Sequence, residues 1–288
     1  YEDLTGAYDK YGWKDNIMSA CWEIPSADNF VWGVGNEMET MSLYVNQDIL
    51  DELNIQQPKT VEELTSAMQK VKDAGYNVLA NTLDSQWYNN MNFIGTILYA
   101  FMTQDEIQDC MNNDGSWDKE SVRAAVSCIQ DWLDKGYFPP HPEVDGDQEQ
   151  MYFGGDYAFW VTGNWEVGNI TEKTDFNTSI YPFPGSETCA DGGSQANFAG
   201  GAYLVYSESE VKDTAYEFID FSINDEETAR IWAEVGGTMP PYIKDYDVEL
   251  SPLLEKVIEL LGDEKIQNTA GINMWLGKDA FDFYSEAG

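Results

Sequence analysis

The chain has 288 residues, of which 43% are hydrophobic and 14% aromatic, a composition that supports packed cores and argues against disorder. At roughly 100–200 residues per domain, this length favours two domains or one large one. Its 15 basic residues stand against 52 acidic ones, which gives a formal net charge of −37. A surface with this charge repels phosphate groups, so we expect no binding to nucleic acid or to anionic lipid.

The sequence contains neither a membrane span nor a readable targeting signal. Its longest apolar stretch, Phe93 to Met102, covers 10 residues, whereas a bilayer span needs about 20. No initiator Met, basic n-region or apolar h-region is found at Tyr1. We therefore expect that the N-terminus was processed or cut away.

Cysteine and histidine chemistry is not expected to carry the function. The four cysteines form no Cys-x-x-Cys pair, and His141 is the only histidine, so a structural zinc site is not expected. His141 lies between prolines in a stretch typical of a stiff extended loop. Cys110 is predicted near the end of one helix and Cys128 well along the next, so we expect no disulfide between them.

Nucleotide and metal motifs are incomplete. Gly33-Val34-Gly35 begins like a dinucleotide fingerprint, but Met38 stands where the third glycine is needed. Residues 145–149 place three carboxylates at alternating positions, which leaves calcium open although the rest of an EF-hand loop is missing. We therefore expect no cofactor and assign no metal ligand.

Apolar periodicity and end signals predict five helices along the chain. The clearest spans 61–74, begins with a capping box of Thr60 and Glu63, and ends at Gly75. The others are 119–135 capped by Asp118, 211–222, 225–235 begun at Asn224, and 252–261. Short β-rich runs lie between helices at 78–83, 157–162, 180–183 and 202–206, and this alternation predicts α/β layers with a mostly parallel sheet.

Three clusters place tryptophan beside polar residues instead of inside apolar runs. They are Trp87-Tyr88-Asn89-Asn90, Gly163-Asn164-Trp165-Glu166 and Asn273-Met274-Trp275. An aromatic face packs on the C–H face of a pyranose ring, while amide and carboxylate groups bond its hydroxyls. The alternative is that these rings fill the edges of a core, but three such clusters together favour a polar, ring-shaped ligand.

An ordered series of motifs runs over nearly the whole chain. Residues 31–40 give Val-Trp-Gly-Val-Gly-Asn-Glu-Met-Glu-Thr, followed by 43–50 with Leu-Tyr-Val-Asn-Gln-Asp-Ile-Leu and 58–64 with Pro-Lys-Thr-Val-Glu-Glu-Leu. Later landmarks are 151–165, the Gly200-Gly201 pair and 236–240. The series resembles the family 1 extracellular solute-binding proteins, substrate-capture subunits of ABC sugar importers related to the maltose-binding protein. Asn36, Val45 and Gln47 depart from the family pattern.

The resemblance implies an α/β protein with the two-lobed, type II fold of periplasmic binding proteins, closing like a hinged clamp on sugar. Lobe 1 would comprise 1–41 and 202–248, without part of the family's N-terminal region, and lobe 2 would comprise 42–196 and 249–288. The chain would cross between lobes near 39–42, 197–201 and 248–251. Glycines and strand ends at the first two crossings suit a hinge.

The resemblance also implies a set of ligand-binding residues. Glu39 would hydrogen-bond a sugar hydroxyl, and Trp165 and Trp275 would stack on sugar rings. Trp87 or Tyr88 would contact the ligand from the second lobe. The remaining members of the set are Glu37, Gly200 and Gly201. Trp160 lies inside a β-rich run and is expected to be a core residue with a structural role.

The function implied is capture of a carbohydrate, such as an oligosaccharide, and its delivery to the permease subunits of an ABC transporter without any chemistry on the ligand. The protein would be an extracellular, cell-surface lipoprotein held near the membrane by a leader absent from this chain, or a periplasmic protein. The alternative is a secreted glycoside-active enzyme that uses paired carboxylates such as Glu37 and Glu39. A third alternative is an adhesion or sensor module built on the same lobe.

Overall fold

The computed structural model describes the chain except residues 19, 24–25, 28–29, 84–92, 112–115, 141–146, 188, 190–192, 240, 242–246 and 271–288. The chain forms two compact units. Unit 1 comprises Tyr1–Thr40, Asn164–Asn169 and Asn197–Glu255, and unit 2 comprises Met41–Gly163, Ile170–Ala196 and the chain from Lys256 onward. The lobe boundaries given above stay a prediction.

The helices described are distributed over both units. They are α1 (Thr5–Tyr11), α2 (Ala20–Glu23), α3 (Gln47–Glu52), α4 (Val61–Asp73), α5 (Ile94–Phe101), α6 (Gln104–Met111), α7 (Glu120–Asp134), α8 (Gln148–Phe153), α9 (Val167–Lys173), α10 (Lys212–Asn224), α11 (Glu226–Arg230) and α12 (Pro252–Gly262). Short 3₁₀ turns cover Trp13–Asp15 and Asn164–Glu166, and a π-helical segment covers Ile231–Gly236.

Most of the strands described are short, but one of them has nine residues. They are β1 (Ser26–Ala27), β2 (Phe30–Val31), β3 (Val34–Gly35), β4 (Met38–Asn46), β5 (Asn77–Leu79), β6 (Tyr157–Gly163), β7 (Thr178–Tyr181), β8 (Ser194–Ala199), β9 (Ala202–Tyr203) and β10 (Gln267–Ala270). The nine-residue β4 begins in unit 1 and continues into unit 2.

Helix α4 forms as its sequence predicts. The hydroxyl of Thr60 accepts a hydrogen bond from the Glu63 N–H at 3.1 Å, and the Glu63 carboxylate accepts one from the Lys59 N–H at 2.7 Å. These bonds satisfy two amide groups that have no partner inside the helix. The apolar stripe of the helix, with Leu64 and Val71, is buried.

Two predicted helix starts are wrong by about one residue. The residue before α7 is Lys119, which makes no side-chain capping bond, while Asp118 pairs with Arg123. Helix α11 is capped by Asp225, whose carboxylate accepts from the Glu227 N–H at 2.9 Å. Asn224 is still part of α10, and its amide donates to Asp220 at 2.7 Å. Its side chain is therefore used within the preceding helix.

The sheet of unit 2 is built around β4. Residues Met41–Val45 pair antiparallel with β6, and Leu43–Asn46 pair antiparallel with β7. Strand β5 pairs parallel with β6, so the order in this unit is β5-β6-β4-β7. The prediction of a mostly parallel sheet is wrong, because β6, β7 and β8 all pair antiparallel with β4, and only the pairing of β5 with β6 is parallel among the pairs of this sheet described here. Alternation along the sequence does not reveal which strands become neighbours.

Strand β6 forms the buried centre of unit 2, since all seven of its residues are buried. The Trp160 side chain is fully buried, its ring centroid lies 5.3 Å from that of Tyr152, and its indole N–H donates to the Gln148 amide oxygen at 3.4 Å. The prediction that Trp160 is a core residue is confirmed.

A side chain extends the pairing of β5 with β6. The Asn81 carbonyl oxygen accepts from the Val161 N–H at 2.9 Å, and its amide nitrogen donates to the Val161 C=O at 2.8 Å. Asn81 is 1% exposed. Its amide group thus takes the place of a third backbone partner just beyond the end of β5.

In unit 1, the first residues of β4 pair antiparallel with the end of β8, so that Glu39 lies opposite Phe198 and Thr40 opposite Asn197. Strand β3 pairs antiparallel with β9. The buried Trp13 donates its indole N–H to Asp220 of α10 at 2.9 Å. These contacts join the beginning of the chain to residues 197–224 in one core.

Two further observations concern cysteine and membrane chemistry. Cys21, Cys110, Cys128 and Cys189 are all free thiols, so Cys110 and Cys128 form no disulfide. Among the residues described, none of the helices is long and apolar enough to cross a bilayer.

Candidate functional site

An acidic pair lies where the chain enters β4. Glu39 is the second residue of the strand, Glu37 precedes it by two positions, and both side chains are partly buried. Burial, the charge of Glu37 and a hydrogen bond between the two carboxyl groups raise the pKa of Glu39 to about 8. Burial also raises the pKa of Glu37. Near neutral pH the Glu39 carboxyl therefore keeps its proton and donates it in a hydrogen bond to Glu37.

The Gly200-Gly201 turn lies against this pair. The Gly200 N–H donates to the Glu37 C=O at 3.2 Å, and the Asn36 N–H donates to the Gly201 C=O at 3.1 Å. A side chain at position 200 would overlap the Glu39 carboxyl, and one at 201 would come within 2.9 Å of the Asn36 amide oxygen. The structure thus brings together four of the residues predicted for the site.

Asn164 bonds the backbone on both sides of Glu39. Its carbonyl oxygen accepts from the Thr40 N–H at 2.8 Å, and its amide nitrogen donates to the Met38 C=O at 2.9 Å. The side chain is 1% exposed. Trp165 follows directly and is partly exposed. Sequence reasoning quoted Asn164 only as the polar neighbour of Trp165 and missed its bonds to β4.

The short segment that carries Trp165 is also fixed at its other end. A side chain at Gly168 would come within 2.6 Å of the Gly236 carbonyl oxygen, so the two backbones are in close contact. Gly237 adopts a φ of 63°, a conformation that favours glycine. Beyond this turn, the Met239 C=O accepts from the Met38 N–H at 3.1 Å. Residues 236–239 of this landmark therefore pack against the site.

Three residues predicted to bind the ligand, namely Trp87, Tyr88 and Trp275, lie outside the described residues. The same is true of His141 and of the first two positions of the calcium alternative at 145–149. Of the remaining positions there, Asp147 caps α8 by accepting from the Gln150 N–H at 3.0 Å. In the described part of the chain, no group of three His, Cys, Asp or Glu side chains could hold a metal ion.

The geometry of the acidic pair bears on the enzymatic alternative. Glycosidases place two carboxyl groups on either side of the scissile bond, about 5–9.5 Å apart. The carboxyl groups of Glu37 and Glu39 are hydrogen-bonded to each other, which leaves no room for a glycosidic bond between them. With their one proton held between them, the pair keeps carboxyl oxygens that can accept a hydrogen bond from a ligand hydroxyl.

Comparison with known proteins gives a family match. The family profile described as bacterial extracellular solute-binding protein matches residues 1–252. No curated protein sequence matches the chain.

Several solved structures are similar over 99% of the chain. A protein from a study of xylan utilisation by Caldanaerobius polysaccharolyticus has 18% identity and a TM-score of 0.87, with 74% of its own chain covered. RafE of Streptococcus pneumoniae in complex with raffinose has 15% identity and a TM-score of 0.80, with 73% covered. An ABC substrate-binding protein from Listeria monocytogenes in complex with cycloalternan has 16% identity and a TM-score of 0.76, with 75% covered. These similarities show the α/β, two-lobed type II fold.

Proposed function

Because the chain belongs to the bacterial extracellular solute-binding proteins, we propose that it captures a carbohydrate and delivers it to the permease subunits of an ABC transporter. The observation that carries this proposal is the cluster of Glu37, Glu39, Gly200 and Gly201, tied through Asn164 to the segment with Trp165. Two similar structures hold saccharides, raffinose in one and cycloalternan in the other. The family is described by solute binding, which supports capture without chemistry on the ligand.

Each residue of the cluster has a role suited to a sugar. The Glu37–Glu39 pair presents carboxyl oxygens that can accept hydrogen bonds from sugar hydroxyl groups. The partly exposed Trp165 offers an indole face on which a pyranose ring can stack. Because Gly200 and Gly201 carry no side chains, the Glu39 carboxyl and the Asn36 amide can lie directly against this turn. Trp87, Tyr88 and Trp275 are proposed as further ligand contacts on the resemblance alone.

The net charge of the chain narrows the class of sugar that it is expected to bind. With a net charge of −37, the protein as a whole repels anionic solutes at long range. A neutral oligosaccharide meets no such repulsion, so we propose this class over uronic-acid or phosphorylated sugars. Anchoring as a cell-surface lipoprotein is proposed on the resemblance alone.

A thermal-shift screen with raffinose, xylotetraose, chitotetraose and cycloalternan tests the proposal. Ligand at 100 times its Kd stabilises the folded state by about 2.7 kcal/mol, which is easily measured as a rise in Tm. Glu39→Ala removes the carboxyl group proposed to hydrogen-bond a sugar hydroxyl and should weaken binding by about 1–3 kcal/mol. A panel that leaves Tm unchanged would argue against saccharide capture.

The enzymatic alternative has its own readout. Each oligosaccharide is incubated with the protein for hours and then analysed by chromatography. A binding protein returns the oligosaccharide intact. The appearance of shorter sugars, absent when Glu37→Gln is used, would establish the glycoside-active alternative and overturn our proposal.

A further inference from the structure

We infer that Asn164 is a positioning residue that holds Glu39 and Trp165 in one fixed arrangement, an inference that rests on the proposed role of these two residues in binding sugar. Asn164 itself is buried and is not placed in contact with ligand. Its contribution is to the backbone that presents the two contacting side chains.

The first step is the way in which β6 leaves β4. The last backbone pair between these strands is Met41 with Gly163. The next partner of β4 is the side chain of Asn164, which bonds Thr40 and Met38 at 2.8 and 2.9 Å. The amide group thus supplies one acceptor and one donor, as a peptide group of a neighbouring strand would.

The second step concerns Glu39, which lies between the two bonded residues. Successive residues of a strand direct their backbone groups to opposite edges, so Met38 and Thr40 face one neighbour and Glu39 faces the other. The other neighbour is β8, where Phe198 lies opposite Glu39. With partners on both edges, this part of β4 is fixed, and the Glu39 carboxyl is directed at Glu37 and Gly200.

The third step concerns Trp165, the residue that follows Asn164. The backbone around Trp165 is held before this residue by the Asn164 bonds and after it by the close contact of Gly168 with Gly236. Only three residues separate these two fixed points. The indole is therefore presented from a segment with little freedom to move, and it is joined to the strand of Glu39 through one side chain.

Asparagine has the chemistry that this role requires. Its amide carries a donor and an acceptor on a short side chain, whereas aspartate lacks the donor and leucine lacks both. Loss of the amide would leave buried N–H and C=O groups of β4 without partners, and these groups would be free to move towards water. The test is therefore to remove the amide and follow Glu39 and Trp165 directly.

The experiment uses Asn164→Ala, with Asn164→Ser as a milder variant if the alanine protein does not fold. The matched control is Asn46→Ala. Asn46 is 2% exposed, lies at the other end of the same strand, and also makes two backbone bonds, accepting from Ile49 at 3.3 Å and donating to Gly155 at 3.0 Å. Both substitutions should lower Tm, so Tm alone does not decide.

Two readouts work on the protein without any sugar. Glu39 is followed by NMR titration of ¹³C-labelled glutamate carboxyl groups, assigned by their absence in Glu39→Gln. Trp165 is followed by ¹⁹F NMR of protein labelled with 5-fluorotryptophan, assigned by Trp165→Phe. We expect Asn164→Ala to lower the Glu39 titration midpoint by half a pH unit or more and to shift or broaden the Trp165 resonance, while Asn46→Ala changes neither.

A third readout uses raffinose and xylotetraose in calorimetry. For a sugar that binds the parent, Asn164→Ala should weaken binding at least tenfold and Asn46→Ala less than twofold. If neither sugar binds, the proposed function is in question, but the two NMR readouts still decide the role of Asn164. An unchanged Glu39 midpoint together with an unchanged Trp165 resonance in the Asn164 variant would overturn the inference.

Discussion

The carboxyl group of Glu39 occupies the space that a side chain at position 200 would need. Gly200 is not among the glycines with positive φ, so its backbone conformation is open to other residues and the requirement for glycine is steric. The absence of a side chain at this position is therefore what allows the acidic pair to form.

Gly200→Ala should displace the Glu39 carboxyl and weaken sugar binding by tenfold or more. The new methyl group cannot be accommodated without a shift of either Glu39 or the 200–201 turn. Calorimetric titration with the best sugar of the panel measures the effect. Gly6→Ala is the control, because a methyl group at Gly6 meets no atom within 4 Å, and equal affinities of the two variants would contradict the prediction.

The stability of the unliganded protein should depend on the protonation of Glu39. Its pKa rises on folding from an ordinary 4.5 to about 8. The folded state therefore holds a proton that the unfolded state releases, and this stabilisation is fully present below about pH 4.5 and is lost as the pH rises through about 8. The slope for one such group is at most about 1.4 kcal/mol per pH unit.

Urea unfolding midpoints between pH 4.5 and 9 measure this dependence. Glu39→Gln cannot titrate, so its midpoints should fall less steeply over the same window. Glu37→Gln removes the neighbouring negative charge and should move the steep region to lower pH. Identical pH profiles for the parent and both variants would show that the pair does not couple to folding.

Two tryptophans five residues apart should respond in opposite ways to substitution. Trp160 is fully buried, so Trp160→Ala should cost about 3–5 kcal/mol in the free energy of unfolding. Trp165 is partly exposed, and Trp165→Ala should weaken sugar binding by about 2 kcal/mol or more with a small change in Tm. Denaturation and calorimetry of both variants test this, and similar behaviour of the two would refute the stacking role.

Thr60→Ala should destabilise unit 2 without any effect on the site. The hydroxyl of Thr60 satisfies the Glu63 N–H at the start of α4, and loss of such a cap costs about 1 kcal/mol. The free energy of unfolding is measured by urea denaturation. Thr60→Ser keeps the hydroxyl and should restore most of the loss, and a serine variant as unstable as the alanine variant would speak against capping.

Helix α4 was predictable because all of its signals are local. The capping residues, the apolar stripe and Gly75 lie within 16 positions of one another. The signals that start and end this helix therefore do not depend on residues far away in the sequence. The starts of α7 and α11 were less predictable, since several residues near each start could act as the cap. Asn224 was the predicted cap of α11, but its side chain bonds Asp220 within α10 instead.

The direction of the sheet and the role of Asn164 could not be predicted in the same way. Both depend on which distant strand lies beside β4, and no pattern within β4 specifies that neighbour. The adjacency of Glu37 and Glu39 was easier to foresee, since residues two apart in an extended chain share a face. The contact of their carboxyl groups with the Gly200 turn could not be foreseen, because that turn lies about 160 positions later in the chain.

The amide of Asn81, which completes the pairing of β5 with β6, also determines how tolerant this part of unit 2 is to mutation. Both bonds to the Val161 backbone come from one side chain, whereas a longer β5 would make them with backbone groups that nearly every residue supplies. Strand pairing at this point therefore depends on the identity of a single buried residue, and a substitution at position 81 breaks bonds that an ordinary strand would keep.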